Sequence, residues 1–525
     1  MSLRSKLGLA RTSGNPSASV YAIALGMAAG SSSLLAVSTG FVDLFDGSLD
    51  VFEVWPMAGL CLALTIWLLR DGVVPRRTRG SSILAATVVG WLALVLISTF
   101  VYIATGSISR FDDALFESTA GFTTTHLSVI GDIENVAQPM LWWRSGTQWV
   151  GGLAALVLGT TILPFWVNGR EMVDPEGSGT GFKSFAPNPS LGIRNALRFY
   201  GGFTLLCALG LVVSGAGFFD AITYGMSTVS TGGFANHPDS IAHFNSPLME
   251  WLVSIMMLIA GSSIALVWWM LRGSPGSMLR SLEARLYGGA VLVATIFFTM
   301  AELDNTANNA GLSDAIRHGW FSATAVVSTT GHWSTNWSGW GTGSTTLLLL
   351  LVGIGSMAGS IGGGYRWLHV AESLEDAKRA ITLQLHPTAH KAVKVGNRAA
   401  SERSIDQMHA QRTLIGVTVG TGAALLGVFG ADLVEAFSLS VSALSTFGPA
   451  LGEMAAASFI GDQSWPARLT LALLMFAGRL SIYPIPLVLG SVIIWCKHRA
   501  HDAATGYEKS ERTLLERLRR GSDSR

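Results

Sequence analysis

The sequence predicts an all-α polytopic membrane protein. Of its 525 residues, 49% are hydrophobic and only 13% are charged, whereas an average soluble domain is about 25% charged. The mean hydropathy is +0.44, and apolar runs long enough to cross a bilayer recur along the chain. A chain with so few charges cannot cover a soluble surface, so a soluble enzyme, collagen, coiled coil and disorder are excluded.

Ten apolar runs have close to the roughly 20 residues that a membrane-spanning helix needs. Four segments between them are shorter and richer in Ser and Thr, so we predict re-entrant half-helices there. The first run follows three basic residues, as in a signal peptide, but its length favours a retained span. The runs cover about 18–41, 52–69, 82–104, 139–167, 196–214, 247–271, 286–303, 343–371, 411–430 and 467–496, and the half-helices 111–125, 219–232, 314–330 and 432–447.

The basic residues predict the orientation of the chain. With the N-terminus in the cytoplasm, 30 of the 35 Lys and Arg residues fall on the cytoplasmic side. This is the bias of the positive-inside rule, so both termini are expected inside. The net charge of +1 gives no indication of a nucleic-acid partner, and we expect none. The remaining five basic residues are Arg110, Arg144, Arg317, Arg468 and Arg479.

From residue 82 the order span, half-helix, span occurs four times, which predicts four membrane–pore–membrane repeats around a pseudo-fourfold pore. The half-helices end in similar tetrapeptides of Ser or Thr, Thr, any residue and mostly Gly. These are Thr123, Thr124, Thr125 and His126; Ser230, Thr231, Gly232 and Gly233; Ser328, Thr329, Thr330 and Gly331; and Ser445, Thr446, Phe447 and Gly448. The predicted units are a two-helix extension (1–80), repeats 1 (81–170), 2 (190–273), 3 (283–371, with a broken second helix) and 4 (409–497), a cytoplasmic linker (372–408) and a tail (498–525).

Four such tetrapeptides suit a cation filter. The carboxyl end of a half-helix carries about half a negative charge, and four converging ends favour a cation. The carbonyl groups of the following stretch can replace the water around a dehydrated ion, and Gly permits the positive φ that aims a carbonyl inward. An aspartate near each half-helix start is expected to act as a simple helix cap: Asp113, Asp220, Asp314 and Asp432.

Several segments in and around the four tetrapeptides resemble the Trk/Ktr/HKT superfamily of potassium transporters, most closely its TrkH branch. The resemblance covers about residues 80–495, and the two leading spans fit the extra helix pair of that branch. It rests on Phe116 to Thr125, Trp143-Arg144-Ser145, Gln148 to Gly152, Ser230 to Phe234, Gly355 to Gly364 and Gly478-Arg479-Leu480.

The resemblance implies K⁺ uptake across a bacterial inner membrane, with K⁺ bound at the filter residues and no catalytic site. It implies a homodimer in the lipid membrane and a cytoplasmic nucleotide-binding RCK ring that gates the pore. No covalently bound cofactor is expected, and nucleotide acts only through the regulatory partner. The linker 372–408 and the tail are candidate contacts for that ring, with solvated charge and lipid contact as the alternative.

The resemblance also implies an intramembrane gating loop below the filter, formed by the break in repeat 3. Irregular backbone at membrane depth is tolerated only where it lines a cavity, although a close-packed glycine face is an alternative. Arg479 is expected to contact this loop or to set a barrier to cations, with a structural hydrogen bond as the alternative. Arg144 and Arg468 are expected to snorkel. The gating residues are Gly355, Ala358, Gly359, Ser360, Gly362, Gly363, Gly364 and Arg479.

His126 departs from the family pattern, because the family's first loop has glycine there. His is enriched at positive φ among non-glycine residues, so the backbone can keep the filter shape with the ring at the ion path. In that position a protonated ring would repel cations at acidic external pH. The other placement folds the ring behind the filter. The alternatives to K⁺ uptake are a Na⁺-permeable or weakly selective channel, a non-conducting sensor and a membrane enzyme subunit.

Overall fold

The protein, described by a computed structural model, is helical over most of its described length. The structure describes residues 16–47, 51–70, 80–160, 185–186, 188–273, 276–305, 311–386, 394–395, 398–399, 402–449 and 460–480. The helices are α1 (Pro16–Asp46), α2 (Val51–Leu69), α3 (Gly80–Ala104), α4 (Phe111–Thr123), α5 (Gln138–Val157), α6 (Pro189–Val213), α7 (Phe218–Val229), α8 (Pro247–Ala260), α9 (Ile264–Leu271), α10 (Gly276–Arg280), α11 (Leu282–Asp304), α12 (Leu312–Val327), α13 (Thr342–Ile354), α14 (Trp367–Leu385), α15 (Glu402–Val428), α16 (Leu433–Leu444) and α17 (Trp465–Arg479).

The chain forms both long apolar helices and short helices. Within the described part of the chain, four helices have the length and hydropathy of a membrane span on their own. Short helices lie where half-helices are predicted, and these are α4, α7, α12 and α16. Their last turns are buried, whereas many Leu, Ile and Phe side chains of the long helices are exposed. This distribution is that of a bundle whose outer surface faces lipid, and it confirms the predicted fold class.

Two apolar runs are broken, of which only the break in 343–371 was predicted. The run 247–271 divides into α8 and α9, which meet at an angle of 109°, and the run 343–371 divides into α13 and α14. The two breaks contact each other, because the N–H groups of Met357 and Ile361 donate to the carbonyl groups of Gly261 and Ala260. Backbone groups released by one break are thus satisfied by the other, as an apolar surrounding requires.

The N-terminal pair α1 and α2 packs against the first repeat. Leu35 of α1, Val54 of α2, Val101 of α3 and Met140 of α5 share one buried cluster. The indole of Trp142 donates to the Ser38 hydroxyl at 3.0 Å. The pair therefore supports the outer side of α3 and α5 and leaves the interior of the bundle to the four short helices.

The stretch predicted as the linker, 372–408, is partly helical. α14 continues to Leu385, α15 begins at Glu402, and strands β1 (Lys394–Val395) and β2 (Arg398–Ala399) pair antiparallel between them. The boundaries of the repeats stay predictions. Three predicted parts lie outside the described residues: the tail 498–525, the part of the final span that follows Leu480, and the segment 161–170.

Candidate functional site

The four short helices end in the same backbone turn. We name the following stretches loops L1 (123–126), L2 (230–233), L3 (328–331) and L4 (445–448). In each loop the second residue has a φ between 54° and 59°. Its N–H bonds to the carbonyl three residues earlier, and the next N–H bonds to the carbonyl five residues earlier, which is a Schellman arrangement. The residues with this φ are Thr124, Thr231, Thr329 and Thr446.

A left-handed backbone is unusual for threonine, because its β-branched side chain crowds the backbone there. Helices normally place glycine at this position. A strained conformation of this kind costs about 1–3 kcal/mol and persists only where the surroundings impose it. Positive φ was expected at the glycines of the tetrapeptides, and its occurrence at the threonines was not predicted. The signal in the sequence is the threonine at the second position of all four tetrapeptides.

The fourth position distinguishes L1 from the other loops. Gly233, Gly331 and Gly448 have φ values of 79°, 81° and 108°. His126 is not among the residues with positive φ, so the expectation that histidine would adopt the glycine conformation is wrong. The backbone of L1 therefore differs from that of L2, L3 and L4 at this one residue.

The loops contact one another directly. The N–H of His126 donates to the Phe447 carbonyl at 3.3 Å, which joins L1 to L4. A side chain at Gly233 would overlap the Thr330 carbonyl oxygen of L3, and one at Gly448 would overlap the backbone of His126. The structure thus brings together all four predicted tetrapeptides, with glycine required by close approach as well as by φ.

The ring of His126 lies behind the loops among aromatic side chains. It is buried, stacks on Trp333 at 4.9 Å between centroids and approaches the edge of Phe234 at 6.2 Å. Its Nδ1 lies 2.9 Å from the Gly331 carbonyl oxygen, an acceptor, so this nitrogen carries the proton and donates. Of the two predicted placements, the structure shows the ring folded away and bonded to L3.

A buried ion pair beside the loops supports L1 and L2. Arg144 of α5 contacts Glu117 of α4 at 2.8 Å, and both side chains are at most 4% exposed. The Glu117 carboxylate also accepts from the Ser128 hydroxyl, and Arg144 donates to the Ala235 carbonyl. Its guanidinium lies 4.2 Å from the centre of the Phe234 ring. The network ties the segments that leave L1 and L2 to α4 and α5.

Two expectations about charged residues are wrong. Arg144 does not snorkel, and Arg468 of α17 binds Asp112 and Asp113 at the start of α4. Nor do the aspartates act as simple caps. The N-cap residues of the four short helices, including Asp432, make no side-chain cap hydrogen bond. Each of the other three carboxylates instead binds a side chain: Asp113 binds Arg468, Asp220 accepts from Asn236, and Asp314 binds Arg317.

Glycines of the longer helices allow the backbone of those helices to approach the ends of the short helices closely. A Cβ at Gly151 of α5 would overlap the Phe122 carbonyl oxygen, and one at Gly478 of α17 would overlap the Leu444 carbonyl oxygen. Both carbonyls belong to the last turn of a short helix. The helix ends that carry the loops are therefore held against backbone, where a side chain on the partner helix has no space.

The glycine-rich segment (Gly355–Gly364) passes directly beside L3 and L4. Gly355, Gly359 and Gly364 have φ values of 71°, 72° and 91°. The N–H of Gly363 donates to the Thr329 hydroxyl of L3 at 2.9 Å. Arg479 Nη1 donates to the Ile361 carbonyl at 2.9 Å, so the expected contact of Arg479 with this segment is present.

A cavity of about 500 Å³ adjoins the glycine-rich segment. It is bounded by residues of α5, α15 and L4 as well as by the segment and the end of α17. Among the lining residues are Leu156, Ile361, Gly363, Ile415, Ser445 and Arg479. The predicted gating residues Gly355 and Ala358 are not in this wall, whereas Gly359, Ser360, Gly362 and Gly364 are.

The sequence matches the TrkH family, described as a cation transport protein, over residues 60–494. The chain belongs to the TrkH family. It is 30% identical over 429 residues to the Trk system potassium uptake protein TrkH of Halomonas elongata, covering 80% of this chain and 87% of that protein. It is 28% identical over 455 residues to the potassium uptake protein TrkG of Escherichia coli, with 85% and 92% covered.

The fold is shared with a solved member of the TrkH family. The crystal structure of the potassium transporter TrkH from Vibrio parahaemolyticus superposes with a TM-score of 0.79 at 24% identity, covering 89% of this chain and 98% of that one. TrkH-family proteins are transport proteins rather than enzymes, which excludes the membrane-enzyme alternative. Within the described residues, no group of three or more His, Cys, Asp or Glu side chains could hold a metal ion.

The buried ion pair of this TrkH-family chain predicts a large stability effect. Replacing Glu117 by Gln leaves the Arg144 charge buried without its anion, which costs about 3–5 kcal/mol. Thermal unfolding in detergent should show a clear fall in Tm for Glu117→Gln. Arg110→Gln is the control, because Arg110 is 65% exposed in its ion pair with Asp112 and such pairs contribute about 0–1 kcal/mol. Equal Tm shifts for the two variants would contradict the assigned role of the pair.

The close approach of α17 to α16 predicts intolerance of a single methyl group. Gly478→Ala should abolish K⁺ uptake or prevent recovery of monodisperse protein, because the new Cβ overlaps the Leu444 carbonyl oxygen. Gly427→Ala on α15 is the control, since its Cβ meets no atom within 4 Å and alanine favours a helix by about 1 kcal/mol. Both variants are checked by growth at low K⁺ of a bacterium that lacks other K⁺ uptake, and by the size-exclusion profile of the purified protein. Normal growth with Gly478→Ala would show that the contact is dispensable.

Proposed function

We propose that this chain takes up K⁺ through a pore whose selectivity filter consists of L1, L2, L3 and L4. The observation that carries the proposal is the left-handed threonine turn repeated at the end of four buried short helices, whose loops contact each other. Proteins at 28–30% identity over most of this chain are named as potassium uptake proteins. Four equivalent backbone turns around one point are an arrangement for binding one ion with many carbonyl groups.

Charge and hydrogen bonding at the loops favour a cation. Each short helix directs its carboxyl end, with its partial negative charge, toward its loop. The hydroxyl oxygens of Thr124 and Thr446 are buried and have no protein hydrogen-bond partner within the described residues. A dehydrated K⁺ needs such uncommitted oxygens as well as carbonyls, so these two hydroxyls are proposed ligands. The filter ligands otherwise follow the sixteen residues predicted from the sequence.

The glycine-rich segment is the proposed gate. It lies against the filter through the Gly363 N–H and the Thr329 hydroxyl, and the cavity beside it contains the Arg479 side chain. A cation leaving L3 and L4 on that side meets both the segment and a positive charge. Displacement of the segment, together with Arg479, would open the path.

The setting of the pore follows from charge distribution and family. We propose a bacterial inner membrane with both termini in the cytoplasm, because 30 of 35 basic residues fall on one side. The membrane potential then contributes about 2.3 kcal/mol per charge per 100 mV to uptake. A homodimer and a cytoplasmic nucleotide-binding ring are proposed as partners. The chain itself is proposed to carry no bound cofactor.

A weakly selective, Na⁺-permeable channel is the second candidate, and a specific observation favours it. At the fourth position of L1, His126 lacks the positive φ found at the corresponding glycine of L2, L3 and L4. One of four carbonyls at that level is therefore aimed differently, which weakens the discrimination between dehydrated K⁺ and Na⁺.

A comparison of growth rescue with ion flux distinguishes the K⁺ uptake protein, the Na⁺-permeable channel and the non-conducting sensor. Expression in a bacterium that lacks K⁺ uptake should restore growth at low K⁺, and purified protein in liposomes should pass K⁺ in preference to Na⁺. Rescue that fails despite rapid Na⁺ flux would favour the second candidate. Failure of both ions to cross liposomes that contain folded protein would favour the non-conducting sensor.

Replacing His126 tests its effect on selectivity. His126→Gly allows L1 to adopt the left-handed conformation, so the K⁺/Na⁺ flux ratio should rise severalfold. His126→Gln is the matched control, because it retains a side-chain donor and a Cβ and, unlike Asn, is not enriched in the left-handed conformation. Since the His126 ring lies behind the loops, we expect no repulsion of cations by it. A ratio unchanged in His126→Gly, or raised equally by His126→Gln, would contradict the backbone explanation.

A further inference from the structure

A buried glutamate lies beside the proposed gate and outside the filter. Glu283 is the second residue of α11 and its side chain is almost fully buried, at 2% exposure. The helix does not need it as a cap, because the Ser281 hydroxyl accepts from the Ala284 N–H. Its position near the amino end of α11 favours a negative charge. The carboxylate makes its hydrogen bonds to backbone groups outside its own helix.

Those contacts flank the gate. Glu283 Oε1 accepts a hydrogen bond from the Ala358 N–H at 2.5 Å and another from the Leu368 N–H at 3.1 Å. The first donor is the fourth residue of the glycine-rich segment, and the second lies in the first turn of α14, just after the segment. One oxygen atom thus bonds the segment and the helix that follows it.

The second donor belongs to a helix that lacks a cap of its own. α14 begins after Arg366, which has a φ of 81° and makes no side-chain cap hydrogen bond. The N–H groups of a first helical turn have no partner within their own helix. The Glu283 carboxylate satisfies one of them from another helix, and it thereby lies near the amino ends of α11 and α14 together.

An opposite charge holds the middle of the same segment. The Arg479 guanidinium donates to the Ile361 carbonyl at 2.9 Å. The segment is therefore bound to a buried anion through the Ala358 N–H, with the Leu368 N–H of α14 on the same oxygen, and to a buried cation through the Ile361 carbonyl. Each contact orients the local peptide dipole in its favourable sense, and both are lost or rearranged if the segment leaves the pore.

We propose that Glu283 is a positioning residue that latches the glycine-rich segment closed by bonding Ala358 and Leu368 through one oxygen. The inference rests on the proposed gating role of the segment. Because a single atom bonds both Ala358 and Leu368, release of one donor weakens the hold on the other. A shorter or uncharged side chain at 283 increases the fraction of time that the segment is open, without altering the filter.

The test is K⁺ and Na⁺ flux through the full-length protein in liposomes without any regulatory partner. Glu283→Ala removes the acceptor, and Glu283→Asp keeps the charge but shortens its reach. Basal K⁺ flux should rise about tenfold in both, the effect of losing one charge-assisted hydrogen bond, with an unchanged K⁺/Na⁺ ratio. Glu283→Gln keeps an accepting oxygen and should lie between these variants and wild type.

Glu302→Gln is the matched control on the same helix. Glu302 is fully buried at the other end of α11 and bonds the Trp340 indole rather than the segment. It should lower Tm without raising basal flux. A second readout is the labelling of Ser360→Cys by a membrane-impermeant thiol reagent, which should be faster in the Glu283→Asp background than in wild type. A purely structural role for Glu283 would lower Tm and leave both flux and labelling unchanged.

Arg479→Gln separates failure of this inference from failure of the gate. If Arg479→Gln raises flux and the Glu283 variants do not, the proposed role of Glu283 is wrong and the proposed gating role of the segment is retained. If neither raises flux in folded protein, the gate proposal fails and the latch fails with it. When both raise flux, the double variant should give less than the product of the single effects, because both residues hold one segment. A full product would overturn the shared latch.

Discussion

The left-handed threonine at the end of each short helix is the constraint on which the rest of the structure depends. Four such residues, each with a φ between 54° and 59°, turn the chain from a buried helix into an extended loop. The conformation is strained for a β-branched residue, so the surroundings must impose it. That requirement explains why the protein surrounds its loops with close backbone contacts and buried polar networks.

The supports act at different distances from the loops. Glycines such as Gly151 and Gly478 bring helix backbone against the ends of the short helices. Farther out, the Glu117–Arg144 pair fixes the segments that leave L1 and L2. On the gate side, the glycine-rich segment meets L3 and is held between Glu283 and Arg479. The strain in the loops and the position of the gate therefore depend on the same packed surroundings.

The sequence predicted the fold class and the four short helices, because composition and repeated pattern determine both. Scarce charge, apolar runs and four similar tetrapeptides are sufficient to place the short helices and to bring L1, L2, L3 and L4 together. Local pattern did not show partners from distant parts of the chain. Arg468 binding Asp113 joins residues 355 positions apart, and the break after α8 is completed by a segment about a hundred residues later. Glu283 was missed for the same reason, since its two donors lie 75 and 85 positions away.

The central claim is that L1, L2, L3 and L4 together bind one line of dehydrated K⁺. The most direct measurement is a crystal structure of the protein with Tl⁺ in place of K⁺, in which anomalous scattering locates the ion. The account predicts anomalous peaks between the four loops, within coordination distance of their carbonyl groups and of the Thr124 and Thr446 hydroxyls. Peaks confined to other sites in a protein that transports Tl⁺ would contradict it.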